Sequence, residues 1–142
     1  MAVTITTSNH AKYQLGLAAI NMTSDTLKII LMNSSFVFNK DTHAILADVT
    51  AYQLATGAGY TQDNKVLSGV VAVEDDTEDK ATWTFDNPTW TATAELGPIG
   101  AYVIYDDTTS DDTILACVDF GTDYTITNGS SFQAQSVILS IG

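Results

Sequence analysis

The feature of this sequence that most constrains its fold is a pair of apolar runs separated by an acidic turn. Residues 100–105 (GAYVIY) are followed by two aspartate pairs around a threonine-rich stretch, and residues 113–121 (TILACVDFG) form the second run. Apolar runs rich in β-branched and aromatic residues on either side of a short polar segment are typical of a β-hairpin. The sequence therefore predicts that strands over 101–105 and 113–120 pair and lie at the centre of a sheet.

The rest of the chain has the pattern of further short strands. Threonine is abundant, and Asp, Asn, Gly and Ser form turn signals between the apolar segments. Turn signals spaced about 8–12 residues apart are typical of a sandwich or barrel. We therefore expect a mainly β fold, an antiparallel β-sandwich or barrel of about seven to eight short strands. Further strand candidates lie at 26–32, 66–73, 81–86, 90–95 and 132–141.

One early segment has a helical pattern. Small and apolar residues recur at helical spacing over residues 9–20, with Ser8 or Asn9 as the N-cap. Residues 48–55 are expected to form one or two helical turns, with Asp48 as their cap. Between them, residues 33–47 have no periodic pattern, which predicts an irregular arm or loop that could lie on a neighbouring molecule.

Length and composition predict a single domain, residues 1–142. The chain has 142 residues, 45% of them hydrophobic and 15% charged, which is typical of a globular protein. No apolar run approaches the ~20 residues needed to cross a bilayer. The N-terminal residues lack the basic and apolar regions of a signal peptide, so we expect synthesis in a cytoplasm without export by that route.

The charge excludes some classes of partner. The chain has 17 acidic residues and five lysines, no arginine, and a net charge of −12. Nucleic-acid and anionic-membrane binding depend on clustered basic side chains, and these lysines are scattered. We therefore expect no nucleic-acid partner and no membrane partner.

The residues needed for catalysis are not arranged in a recognisable motif. Cys117 lies within an alternating apolar run and is interpreted as a small buried side chain. His10 and His43 are far apart in sequence, and one cysteine with two histidines does not match a zinc-site pattern. We expect no enzyme activity and no cofactor. Two aspartates acting as in glycoside hydrolysis stay an open alternative, because their separation depends on the fold.

The aspartates of the acidic turn have two interpretations. Solvated residues at a hairpin tip explain them most simply, because charge protects a sheet edge from aggregation. The alternative is a weak Ca²⁺ or Mg²⁺ site, although the spacing does not match a calcium-binding loop. Its candidate ligands are Asp106, Asp107, Asp111 and Asp112.

Several aromatic residues outside the central hairpin are candidates for contact with a partner. Large aromatic side chains contribute strongly to interfaces and can stack on sugar rings. We selected Phe36, Phe38, Trp90 and Tyr124 as interface candidates, with Trp90 and Tyr124 expected to be exposed and available to glycans.

Four segments together resemble a family of small virion structural proteins of tailed bacteriophages. They are residues 26–32 (TLKIILM), 41–50 (DTHAILADVT), 59–64 (GYTQDN) and the hairpin over 100–121. The similarity spans most of the chain, from about residue 11 to residue 129, and its motifs are structural.

The resemblance implies a non-enzymatic component of the virion. The best-fitting role is a capsid decoration (cement) protein, a homo-oligomer that is made in the host cytoplasm and stabilises the head at junctions of the major capsid protein. The alternative is a tail, baseplate or fibre-associated module that binds glycans.

Overall fold

The computed structural model describes residues 4–142, with side chains from Ile5 onward. Nine strands and one α-helix form in this part of the chain. In chain order they are β1 (Thr4–Thr7), α1 (Asn9–Gly16), β2 (Leu27–Asn33), β3 (Val71–Asp75), β4 (Lys80–Thr84), β5 (Thr89–Thr91), β6 (Leu96–Asp106), β7 (Ile114–Ile126), β8 (Ser131–Gln133) and β9 (Ile138–Ile141). Two short 3₁₀ turns, Leu46–Asp48 and Thr50–Tyr52, lie between β2 and β3.

The central hairpin was predicted correctly. The main sheet has the order β1-β7-β6-β2, with every pair antiparallel, so β6 and β7 are its two inner strands. Their register places Tyr102 opposite Val118 and Val103 opposite Cys117. The two longest strands of the described chain therefore form the centre against which the other elements pack.

Two smaller antiparallel sheets complete the fold. One has the order β3-β4-β9, and the other pairs β5 with β8. The prediction of a mainly β, sandwich-like fold with an N-terminal helix is confirmed, with nine strands in residues 4–142 instead of seven to eight.

Both faces of the main sheet are buried. On one face Ile29, Leu31 and Tyr102 join a large core that also includes side chains from the smaller sheets. On the other face Ile30 and Val103 join a second core. Successive residues of a strand point to opposite faces, so a strand covered on both sides needs a nearly continuous apolar sequence. This explains the unbroken run of apolar residues in β2.

The irregular segment after β2 forms the cover of the second face. Phe36 is buried there, and Phe38 and Leu46 pack against the same core. The interpretation of residues 33–47 as an arm lying on a neighbour is therefore corrected: the segment is irregular, but its large apolar side chains pack on the chain's own sheet. Burying one such side chain stabilises the fold by about 1.5–3 kcal/mol, which holds the segment in place.

The helix is shorter than predicted. Ser8 is its N-cap, since the Ser8 Oγ accepts a hydrogen bond from the Ala11 N–H at 3.0 Å and donates to the Ile114 carbonyl oxygen at 2.6 Å. The helix ends at Gly16, and Ala18 has a left-handed backbone with φ of 58°. The prediction that it continues to residue 20 is wrong, because the chain turns there and buries Ile20 in the core instead of continuing the helix.

The predicted helical turns near residue 48 are also displaced. They begin at Leu46, so Asp48 is not the cap residue but the third residue of the first turn. Its Oδ2 accepts hydrogen bonds from the N–H groups of Ala44 and Ile45 at 2.9 and 3.1 Å. The carboxylate still satisfies backbone donors at the start of the turn, which is the role that the sequence indicated.

The loop around Tyr60 covers the open edge of β2. The Tyr60 hydroxyl accepts hydrogen bonds from the Leu31 N–H at 3.1 Å and from the Gln53 Nε2 at 2.8 Å. Gly59 has φ of +91°, and a Cβ at this position would collide with the Thr91 carbonyl oxygen. The GYT motif is therefore structural: glycine permits the close approach that brings the tyrosine to the strand edge.

We expect Tyr60→Phe to destabilise the fold by about 1–3 kcal/mol, because it leaves the buried Leu31 N–H without an acceptor. Urea unfolding measures the change. Tyr13→Phe is the matched control, because Tyr13 is 62% exposed and its change should stay within about 0.5 kcal/mol. Equal stability of the Tyr60→Phe and wild-type proteins would show that the hydrogen bond from the Leu31 N–H contributes nothing to the free energy of unfolding.

Candidate interaction surfaces

The carboxylates of the central hairpin do not converge on one point. The Asp107 Oδ2 lies 3.0 Å from the Lys28 Nζ, on the neighbouring strand β2. Within residues 4–142, no group of three or more His, Cys, Asp or Glu side chains is placed to hold a metal ion. This geometry does not support the alternative of a cation site formed by Asp106, Asp107, Asp111 and Asp112, because the turn directs Asp106, Asp107 and Asp111 to different neighbours.

Asp111 connects the hairpin to the helix. Its Oδ2 lies 2.9 Å from the His10 Nε2, and its Oδ1 accepts a hydrogen bond from the Thr113 Oγ1 at 2.5 Å. Partial burial opposes ionisation of Asp111, but the hydrogen bonds from Thr113 and His10 outweigh it, so the pKa of Asp111 lies below its usual value. The hydrogen bond between His10 and Asp111 thus fastens α1 to the turn.

Asp106 does not follow the prediction that the aspartates of the hairpin tip are exposed to solvent. Its side chain is completely buried, and its Oδ1 accepts a hydrogen bond from the Thr108 N–H at 2.9 Å. Burial, followed by a hydrogen bond with the Asp25 carboxyl, raises the pKa of Asp106 to about 7. Two ionised carboxylates cannot hydrogen-bond to each other, so the Asp106 Oδ2 has no partner among the described residues unless one carboxyl is protonated. Burial and the neighbouring Asp25 carboxyl thus both favour the protonated form of Asp106.

The cysteine and the second histidine have structural positions. Cys117 is buried in the second core, and burial followed by the nearby Asp119 raises the pKa of its thiol to about 12. The thiol is therefore un-ionised, as expected for a small apolar core residue. His43 stacks on Phe36 with ring centroids 5.6 Å apart, and its Nδ1 accepts a hydrogen bond from the Asn39 N–H at 3.0 Å.

Two of the four predicted interface residues are buried within the chain. Phe36 is only 6% exposed and Trp90 only 3%, so the prediction that they contact a partner, and that Trp90 is exposed, is wrong. Trp90 instead packs on Phe132, with the Lys65 Nζ 5.4 Å from the tryptophan ring centroid. Sequence alone does not distinguish an aromatic residue that fills a core from one that lies on the surface.

The other two predicted interface residues reach the surface. Phe38 is half-buried at the edge of the second core, and Tyr124 is 43% exposed. Tyr124 lies beside an open groove of about 700 Å³ between the main sheet and the segment that contains β8. The structure does not bring these two residues together with Phe36 and Trp90 in a single surface.

An apolar surface that the sequence analysis missed lies on β3. Val71 and Val73 are 55% and 50% exposed. Ala72, between them, is opposite Trp83, which packs against the main core, so the two valines point away from that core. The alternation Val-Ala-Val indicates a strand with the valines on one face, but it is equally compatible with that face pointing towards the core.

The turn after β3 is acidic and ordered by its own side chains. The Asp75 Oδ1 accepts hydrogen bonds from the N–H groups of Thr77 and Glu78, both at 3.1 Å. The Lys80 Nζ lies 3.8 Å from Glu78. The exposed valines of β3 thus lead directly into a strongly negative turn.

Comparison with known proteins gives no match: no family model, no curated protein and no solved structure is significantly similar to this chain. Within residues 4–142, no helix is long and apolar enough to cross a membrane.

We expect the stability of the wild-type protein to fall as the pH rises through about 7. The folded-state pKa of Asp106 is above its usual value of 3.8, so the folded chain holds this proton more tightly than the unfolded chain. The contribution of this proton to the free energy of unfolding is fully present below about pH 4, and it is lost as the pH rises and Asp106 ionises in the folded protein. Asp106→Asn mimics the protonated carboxyl, so it should flatten this dependence and stabilise the protein at pH 8 by on the order of 2 kcal/mol.

Denaturant unfolding between pH 5 and pH 8 tests this expectation. Asp76→Asn is the matched control, because Asp76 is exposed in the turn after β3 and should leave the slope unchanged. Identical slopes for the Asp106→Asn and wild-type proteins, or equal flattening by Asp76→Asn, would contradict the protonation of Asp106 in the folded protein.

Proposed function

We propose that the protein is a non-enzymatic structural component of a tailed-phage virion. The role that we favour is a capsid decoration protein, a homo-oligomer that contacts the major capsid protein and copies of itself. The resemblance of the sequence to small virion proteins supports the class. The single structural observation that carries the assembly role is the pair of outward-facing valines on β3.

The β3 strand has the properties of an assembly edge. It is the terminal strand of its sheet, with no strand on its outer side within residues 4–142. Soluble proteins usually protect such an edge with lysine, proline, a bulge or a covering loop. The sequence of β3, VAVED, carries charge only at its C-terminal end, in Glu74 and Asp75, so its valine half has neither a charged residue nor proline, and its pairing with β4 has no irregularity. An edge of this kind can accept a strand from a partner, with the valines providing apolar contact.

The charge distribution restricts which partners fit this edge. Glu74 and Asp75 continue directly from the valines, and the chain as a whole carries a net charge of −12. A partner surface with lysine or arginine beside an apolar strand would be attracted and correctly oriented, whereas another strongly acidic surface would be repelled. The edge is therefore proposed as the contact with the capsid protein, through a partner surface that is apolar at its centre and basic at one end, and not with another copy of this acidic chain.

The alternative function is a tail, baseplate or fibre-associated module. The exposed ring of Tyr124 beside an open groove favours it, because a surface aromatic residue can contact a ligand directly. Cryo-electron microscopy of the parent particle distinguishes the two. Density for this chain on the head lattice supports decoration, density confined to the tail supports the alternative, and a particle without the chain overturns both.

We expect the double substitution Val71→Lys and Val73→Lys to abolish attachment to the capsid without unfolding the protein, because it places two charges at the apolar edge. Co-sedimentation with particles lacking the protein measures attachment, with an expected loss of at least about tenfold, and size-exclusion chromatography with light scattering checks that the variant keeps the size of the wild-type protein.

The matched control is Val66→Lys. Val66 is 49% exposed in the loop before β3 and is not part of the edge strand, so this variant should attach normally. Full attachment of the double variant would exclude β3 as the contact, and equal loss in the control would show a general effect of added positive charge.

A further inference from the structure

The groove beside Tyr124 has preformed aromatic walls. The Phe120 ring centroid lies 5.8 Å from that of Tyr102, 5.6 Å from that of Tyr124 and 5.7 Å from that of Phe132. Tyr124 and Phe132 are 6.1 Å apart. These separations are those of rings in mutual contact, so each ring is held by its neighbours. The groove, at about 700 Å³, has the size of a small-ligand site.

The lining of the groove carries no charged side chain in the described part of the chain, although the protein has 17 acidic residues. Its polar groups are hydroxyls and amides, and each of them can both donate and accept hydrogen bonds. They belong to Tyr102, Tyr124, Ser131, Gln133, Gln135 and Ser136. A ligand that fits this lining is uncharged and combines apolar faces with several hydroxyl groups.

The Tyr102 hydroxyl is a second observation in favour of a ligand, and it does not depend on the shape of the groove. Tyr102 is only 4% exposed and lines the groove, yet none of the hydrogen bonds between described residues uses its hydroxyl. Among the described residues, the fully enclosed polar side-chain atoms without a partner are Trp90 Nε1 and Asp106 Oδ2, so the Tyr102 oxygen keeps some access to solvent in the groove. Burial, followed by the nearby Cys117, raises the pKa of Tyr102 to about 12, so the hydroxyl is a donor at neutral pH.

We propose that this groove is a binding site for a neutral saccharide. The C–H face of a sugar ring would stack on Tyr124 and Phe132, while its hydroxyl groups would bond to the Tyr102 hydroxyl and to the amides of Gln133 and Gln135. A purely apolar ligand would leave the Tyr102 hydroxyl desolvated and unpaired, at a cost. The Gln133 amide donates to the Thr89 Oγ1 and the Gln135 amide donates to the Gln133 Oε1, so both are already held in place for a ligand. An anionic saccharide would be repelled by the net charge of −12. The inference is independent of where in a particle the protein lies.

The test is an NMR titration of the isotopically labelled protein with glucose, galactose, N-acetylglucosamine and their neutral oligosaccharides, with glucuronic acid as the anionic comparison. We expect saturable shifts at millimolar concentration for residues of the groove. Tyr102→Phe removes only an unpartnered hydroxyl and should weaken binding about 2- to 10-fold with no loss of stability. Tyr124→Ala should weaken it about tenfold or more, and Tyr13→Ala, at an exposed tyrosine on α1, should have no effect.

Three results would overturn the proposal. They are the absence of shifts with every neutral saccharide, binding that Tyr13→Ala weakens as much as Tyr124→Ala does, and binding of glucuronic acid as tight as that of glucose. An apolar dye that occupies the groove and is not displaced by any saccharide would likewise reject a saccharide ligand. The titration measures binding at the groove and the localisation experiment measures position in the particle, so each can fail while the other succeeds.

Discussion

The rest of the structure depends on the pairing of β6 with β7, because it creates a sheet that is apolar on both faces. Val103 and Cys117 face one side, and Tyr102 and Val118 face the other. A sheet of this kind is stable only when both faces are removed from water, which a single layer of packing cannot achieve. The smaller sheets and the helix cover one face, and an irregular segment with Phe36 covers the other. The positions of the elements that contribute to the two cores follow from this requirement.

The same requirement explains why an acidic residue is buried at the end of β6. Asp106 continues the buried strand, and the turn after it folds back over the start of β2, with the Asp107 N–H bonded to the Thr26 carbonyl oxygen at 2.9 Å. A charged carboxylate in such a place is costly, whereas a protonated one that is hydrogen-bonded to Asp25 is not. The fold therefore tolerates this residue by holding a proton on it, which couples the stability of the hairpin to pH.

Sequence reasoning succeeded where a residue pattern has one structural solution. The apolar runs on either side of the acidic turn predicted the central hairpin, and Ser8 was one of the two residues predicted as the helix cap, because its side chain can satisfy backbone donors at that end. It failed where the local sequence allows a side chain to be either buried or exposed, because tertiary packing then decides which of the two occurs. Trp90 was expected on the surface but lies in the core, Asp106 was expected in solvent but is buried, and residues 33–47 fold back onto the chain's own sheet. The exposed valines of β3 were missed because a period of two does not say which face is inside.

The distribution of charge connects the two surfaces that we assign to function. Acidic residues are concentrated in turns, where they are solvated, while the aromatic groove and the valines of β3 carry no charge of their own. In a protein with a net charge of −12, long-range repulsion discourages unspecific contact over most of the surface. Contact is then favoured only where local apolar burial and hydrogen bonding outweigh that repulsion. A strongly negative chain with a neutral groove and an apolar edge that ends in Glu74 and Asp75 is therefore selective for partners that are matched in shape and either neutral or basic.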